Sequence, residues 1–116
     1  MESQDLALLD SLLSDEVVFH SPVVHTPQRG KAITAKYLAA AMNVLINDSW
    51  RYVAEMTNDS QAVLEFKLEI DGVEINGVDI ITFDADDRIS EFKVLVRPLQ
   101  AIKLVHQKMA ERLSAG

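Results

Sequence analysis

Residues 76–89 read NGVDIITFDADDRI. Apolar and polar positions mix in strand fashion from Val78 to Phe83, the turn formers Asp84, Asp86 and Asp87 follow, and Ile89 starts a new apolar series. That order predicts a strand, a hairpin turn and a second strand. Asp79 stands in the first strand between Val78 and Ile80. Side chains alternate faces along a strand, so Asp79 shares a side with Ile75, Ile81 and Phe83, while Val78, Ile80 and Thr82 face the other way. A register slip of one residue would reverse the assignment. As read, the carboxylate points into the core side, where it must be hydrogen-bonded, paired with a cation or protonated. An Asp that caps a helix or pairs with an interior Arg or His meets that need structurally; an unpaired Asp in a cavity is a functional group.

The period of two extends on both sides of this stretch. Strands are predicted over residues 50–57, 62–70, 73–84 and 89–96, separated by NDS, DG and DADDR. Asp71-Gly72 is the sharpest turn signal, because a type I′ hairpin needs positive φ at both central residues. The four strands therefore form an antiparallel meander. Leu64, Phe66, Leu68 and Ile70 mark its apolar face on one strand, and Phe92, Val94 and Val96 mark it on the last. Pro98 opens a helix running to about Leu113. Upstream, a helix is predicted over residues 31–46, with Ile33, Tyr37, Ala40, Ala41, Val44 and Leu45 as its stripe. HTPQRGK is loop, EVVFHSP is a short strand ended by Pro22, and leucines at 6, 9, 12 and 13 predict a short helix over residues 4–14. Helices that bury their stripes against the apolar face give an α+β fold, a curved antiparallel sheet holding helices in its concavity. The other face carries Val53, Val63, Val78, Ile80 and Leu95 among charges, a pattern that suits a homodimer through the sheet.

The length of 116 residues predicts a single domain, 1–116, large enough for one core. A net charge of −7 with no basic cluster argues against nucleic acid as a partner. The absence of cysteine excludes disulfides and thiolate chemistry. The N-terminal MESQDLALLDSLLSDE has acids where a signal peptide needs bases. The longest apolar run, Tyr37 to Met42, is far too short to span a bilayer. The expectation is a cytoplasmic protein without a membrane partner. The sequons at Asn47 and Asn58 then read as turn residues.

DEVVFHSP, Gly30 ahead of a helix, GVDIITFDADDRI and RPLQAI occur here in an order and spacing that resemble the NTF2-like superfamily. That superfamily includes the ketosteroid isomerases, the polyketide-cyclase-like proteins and the limonene epoxide hydrolases. The resemblance implies a cone-shaped α+β barrel with a deep apolar pocket, commonly dimerised through the sheet. In ketosteroid isomerases a strand Asp four residues before a Phe is kept protonated and donates a hydrogen bond to the developing enolate. Asp79 stands four before Phe83 and matches that position. Their general base is an Asp just before the proline that ends the first strand, where this sequence has Ser21 before Pro22. Their oxyanion Tyr lies on a helix ahead of the one beginning near Asp5, which this sequence does not include. Epoxide hydrolases of this type need an Arg and two Asp on inner strands, yet residues 62–70 and 89–96 contain no Asp. In the polyketide-cyclase-like branch an acidic pocket residue serves an aldol-type closure as acid or base, a role open to Asp79.

Other polar residues are candidates for a second catalytic group. His106 falls near the middle of the apolar face formed by Leu99, Ile102, Val105, Met109, Ala110 and Leu113, where a lone His is more often a core residue than an acid or base. His20 neighbours the position of Ser21, and edge exposure is its plainer reading. Tyr37 lies on the inner stripe of its helix. His20 and His25 lack a third ligand, so no metal and no cofactor are expected. Trp50, Tyr52, Phe66, Ile81, Phe83, Phe92 and Met109 are the expected pocket wall, their aromatic tips available to a ligand. The leading expectation is a small-molecule pocket around Asp79 for an apolar or carbonyl-bearing ligand, with isomerase, dehydratase or aldol-cyclase chemistry. The alternative is a dimeric ligand-binding or protein-interaction module whose pocket is vestigial.

Overall fold

The computed structural model describes residues 10–115. The meander is present, with β3 at Arg51–Thr57, β4 at Gln61–Ile70, β5 at Val73–Phe83 and β6 at Ile89–Arg97, numbered after two upstream strands. Its turns are built by the residues that announce them. Asp71 and Gly72 have φ of 51° and 78°, the two left-handed positions of a type I′ hairpin. The Asn58 carboxamide oxygen accepts from the Ser60 and Gln61 N–H groups at 3.0 and 2.8 Å. The Asp84 carboxylate accepts from the Asp86 and Arg88 N–H groups at 2.9 and 3.1 Å. Asn47 takes the Ser49 N–H at 2.8 Å, so both sequon asparagines are turn formers, as expected.

β1 (Leu13–His20) lies beside β6 and runs parallel to it, and β2 (Gln28–Arg29) pairs antiparallel with β1. The sheet order is β2-β1-β6-β5-β4-β3. Two expectations change here. The helix predicted over residues 4–14 is helical at 10–12, but β1 begins at Leu13, which is fully buried and pairs with Ile89. Residues 4–9 of that prediction lie outside the described residues. Residues 28 and 29, read as loop, pair with Phe19 and Val18.

The helices are α1 (Lys31–Leu45) and α2 (Leu99–Ala115). The chain enters α1 through Gly30, whose φ of 106° favours glycine and whose N–H donates to the Val17 carbonyl at 2.8 Å. The buried side of α1 carries Thr34, Leu38, Ala39, Ala40 and Leu45, so the stripe is rotated from the expected one and Ile33 is left exposed. α2 follows a cis Arg97–Pro98 bond and buries Ala101, Val105 and Met109. His106 is exposed, and so are Leu99 and Ala110, because a seam spaced by four residues leaves the adjacent position about 100° away from it.

Burial divides into two clusters. One gathers Phe66, Leu68, Ile75, Ala101, Val105 and Met109; the other gathers Leu13, Val17, Phe19, Leu38, Ile81 and Ile89. The result is the curved, mostly antiparallel sheet with helices expected of an NTF2-like fold.

Candidate functional site

A cavity of about 200 Å³ takes its wall from both clusters. The sheet contributes Phe19, Phe66, Asp79, Phe92 and Val94. The helices contribute Leu38, Ala41, Met42, Leu45, Val105 and Met109. Trp50 and Tyr52 close the β3 side, and Ser21, Pro22 and Val23 close the end of β1. Three aromatic rings form one wall. Trp50 stacks on Phe66 with centroids 4.5 Å apart and 21° between planes, and Tyr52 meets Trp50 edge-on at 5.5 Å and 79°.

The ladder fixes where Asp79 sits. It lies opposite Leu64 on β4 and Val94 on β6, both inner-face residues, so alternation alone turns its carboxyl into the cavity. No hydrogen bond or ion pair reaches that carboxyl among the described residues, and the wall carries no Lys, Arg or His. Neither the cap nor the interior Arg or His that would make Asp79 structural is found there. Burial without compensation favours the neutral acid and pushes the Asp79 carboxyl up from 3.8 to about 7. Tyr52 is also raised, first by burial and then by the charges of Asp79 and Glu55. An acid that titrates near neutrality is populated in both forms, as a proton donor or acceptor requires.

A bulge places Tyr52. Between Tyr52 and Ala54 the β3–β4 register shifts, so Tyr52 opposes the inner Phe66 while Ala54 opposes the outer Glu65. Without the extra residue the strand would hold one alternation throughout. Phe66 in turn depends on Gly77, its β5 partner, because a Cβ at 77 would overlap the outer edge of the Phe66 ring.

Asp79, Trp50, Tyr52, Phe66, Phe92 and Met109, among the residues singled out in the sequence, line this one cavity. Ile81 and Phe83 are not in the wall; they pack in the neighbouring cluster with Leu13 and Val17. His20 is turned away, its Nε2 2.9 Å from a Glu91 carboxylate oxygen. Tyr37 packs against both clusters, its ring 6.0 Å from that of Phe19, and does not line the cavity. His106 is on the solvent side of α2. Ser21 does line the cavity, but its hydroxyl accepts the Val23 N–H at 3.2 Å. Pro22, Val23 and Met42 also belong to the wall; the first two follow directly on the strand that ends at His20, which is the signal that could have placed them.

These features agree with the comparisons. The family described as a SnoaL-like domain matches residues 1–92. The chain belongs to the SnoaL-like family. A steroid delta-isomerase structure from Pseudomonas aeruginosa is 30% identical, with a TM-score of 0.88 over 97% of this chain and 83% of that one. An uncharacterized bacterial protein with a cystatin-like fold, from Silicibacter pomeroyi DSS-3, is 27% identical with a TM-score of 0.86, over 93% of this chain and 75% of that one. A candidate SnoaL-like polyketide cyclase from Shewanella putrefaciens CN-32 shares the fold at 15% identity and a TM-score of 0.61, covering 97% of this SnoaL-like chain and 77% of that chain. No curated protein matches. Among the described residues no helix is long and apolar enough to cross a membrane.

Proposed function

We propose that this SnoaL-like protein binds a small carbonyl-bearing or apolar molecule in the cavity at Asp79 and moves a proton beside the carbonyl. Isomerisation, dehydration and aldol-type closure all use that step. The observation that carries the reading is a carboxyl without a partner among the described residues, on a largely apolar wall and pushed up to about 7. As a carboxylate, Asp79 takes the proton from the carbon next to the carbonyl. The C–H electron pair becomes a C=C π bond while the carbonyl π pair moves onto oxygen, and the Tyr52 hydroxyl, on the same wall, is the group available to donate to that oxygen. Returning the proton to a different carbon completes an isomerisation. The 30% identity to a steroid delta-isomerase supports proton transfer as the reaction type.

Deuterium exchange at the α-carbons of cyclohexanone in D2O, followed by NMR, tests the step. Exchange faster with the protein than in buffer, and lost in Asp79→Asn, is the expected result. An Asp79 that titrates near 4, with exchange unaltered by the substitution, overturns it.

The engaged hydroxyl of Ser21 favours a second reading, a binding module without turnover; ligand binding with no exchange would select it. We also propose that the outer sheet face, where Val63, Val78 and Ile80 are half-buried and Leu95 and Met56 exposed, joins two copies of this chain. Light scattering expects twice 12.9 kDa, and a monomer at micromolar concentration rejects it.

A further inference from the structure

We propose that the cavity is built for a neutral ligand of one or two rings with a single carbonyl or hydroxyl oxygen, and that it rejects four-ring ligands, carboxylates and amines. This deepens, and rests on, the reading of the cavity as a ligand site.

Size is the first argument. An apolar cavity of about 150 Å³ takes one benzene ring. The cavity here is about 200 Å³, room for one ring with substituents or two small fused rings, and well short of four. Its inner boundary is firm, whereas Ile46 and Tyr52 at its rim are half-exposed. Phe66 and Val105 are almost fully buried, and Phe19 and Leu38 nearly so, so enlarging the space means displacing packed core. The related steroid delta-isomerase therefore does not pass its ligand size to this chain.

Charge is the second. A bound anion would meet a wall without Lys, Arg or His and would face the Asp79 carboxyl. An ammonium would lose its water against apolar walls and find one carboxyl and one phenol for three donors, which leaves the pair short of compensation. A neutral oxygen asks for a donor, which the Tyr52 hydroxyl supplies, and it brings no charge against the Asp79 carboxyl.

Shape is the third. The Tyr52, Trp50 and Phe66 rings make one side of the cavity aromatic, a surface for a compact ring face, while Leu38, Ala41, Leu45 and Met109 oppose it with aliphatic groups.

Trp50 is the sole tryptophan of the chain and lies in the wall, so its emission reports occupancy directly. The probes are alicyclic, and the weak n→π* band of the ketones is corrected with free tryptophan as control: 2-decalone, decahydronaphthalene-2-carboxylate, decahydronaphthalen-2-amine and 5α-androstan-3-one. The expected result is saturable perturbation by 2-decalone, half-complete on the order of 1 mM or below. The other three are expected to bind at least tenfold more weakly. Ala41→Leu, which fills the cavity from α1, is expected to remove the decalone response while far-UV circular dichroism is kept. A steroid ketone that binds as tightly as 2-decalone overturns the size limit and leaves the ligand site standing. Equal or tighter binding of the carboxylate or the amine overturns the neutrality. A decalone response that survives Ala41→Leu places the ligand elsewhere, and silence from all four probes overturns this proposal and the ligand-site reading together.

Discussion

At the level of single residues, Asp79 is held where its charge is unwelcome, and that has a measurable cost. Its carboxyl is pushed from 3.8 to about 7 in the folded chain. Between those values the folded state keeps a proton that the unfolded chain releases, so stability falls as pH rises through the window and levels off above it. The loss amounts to as much as about 4 kcal/mol. Asp79→Asn has no proton to lose. Its urea midpoint is expected to match the wild type near pH 4 and to exceed it increasingly from pH 5 to pH 8; parallel curves would refute the shift. Gly77 makes a second residue-level prediction. Because a Cβ there overlaps the Phe66 ring, Gly77→Ala forces the ring toward Trp50 and the cavity. Overpacking of this kind costs about 1–3 kcal/mol, and Trp50 emission is expected to shift with it. Asp79 was legible in the sequence because alternation fixes a side, and a carboxylate on the core side stands out. Thr34 was not. It is fully buried on α1, yet its hydroxyl drew the expected stripe through Ile33 instead.

At the level of elements, strands with two-residue periodicity and strong turn residues were readable almost to the residue. The β4–β5 hairpin is the clearest case, since Asp71 and Gly72 adopt the positive φ values their types favour. A Cβ at Gly72 would meet nothing within 4 Å, in contrast to Gly77, so the cost of a side chain there is backbone strain alone. Gly72→Val is expected to destabilise by about 1–2 kcal/mol in urea unfolding while leaving Trp50 emission in the native state unchanged. β1 was harder to read. Its pairing with β6 shifts register between Leu13 and Val18, which breaks the alternation that would have extended the strand upstream, and Leu12 and Leu13 continue a leucine series that resembles a helix. β2 has two residues, too few to show a period. The face of α2 was drawn too wide: Val105 and Met109 belong to its seam together with Ala101, whereas Leu99, His106 and Ala110 lie outside it.

At the level of the whole molecule, the fold was legible because element order and spacing are properties of the chain. The bounds of the cavity were not, because they are set by the space that side chains leave unfilled between two clusters, and no residue encodes that space alone. Ile81 and Phe83 show the difference: they share the side of Asp79, yet they complete the neighbouring cluster. The parallel pairing of β1 with β6 has a further consequence, for the order of assembly. β3 to β6 can zip by short turns, whereas β1 must wait for a strand near the far end of the chain, with Phe19 meeting Phe92. Closing so long a loop carries an entropy that local hairpins avoid. Refolding is therefore expected to nucleate in the meander and to dock β1 late. In stopped-flow experiments Val17→Ala is expected to speed unfolding and leave the refolding rate nearly unchanged, while Phe66→Ala slows refolding. Until β1 docks, Phe19 is missing from the wall, and the folding chain has a sheet before it has a closed cavity.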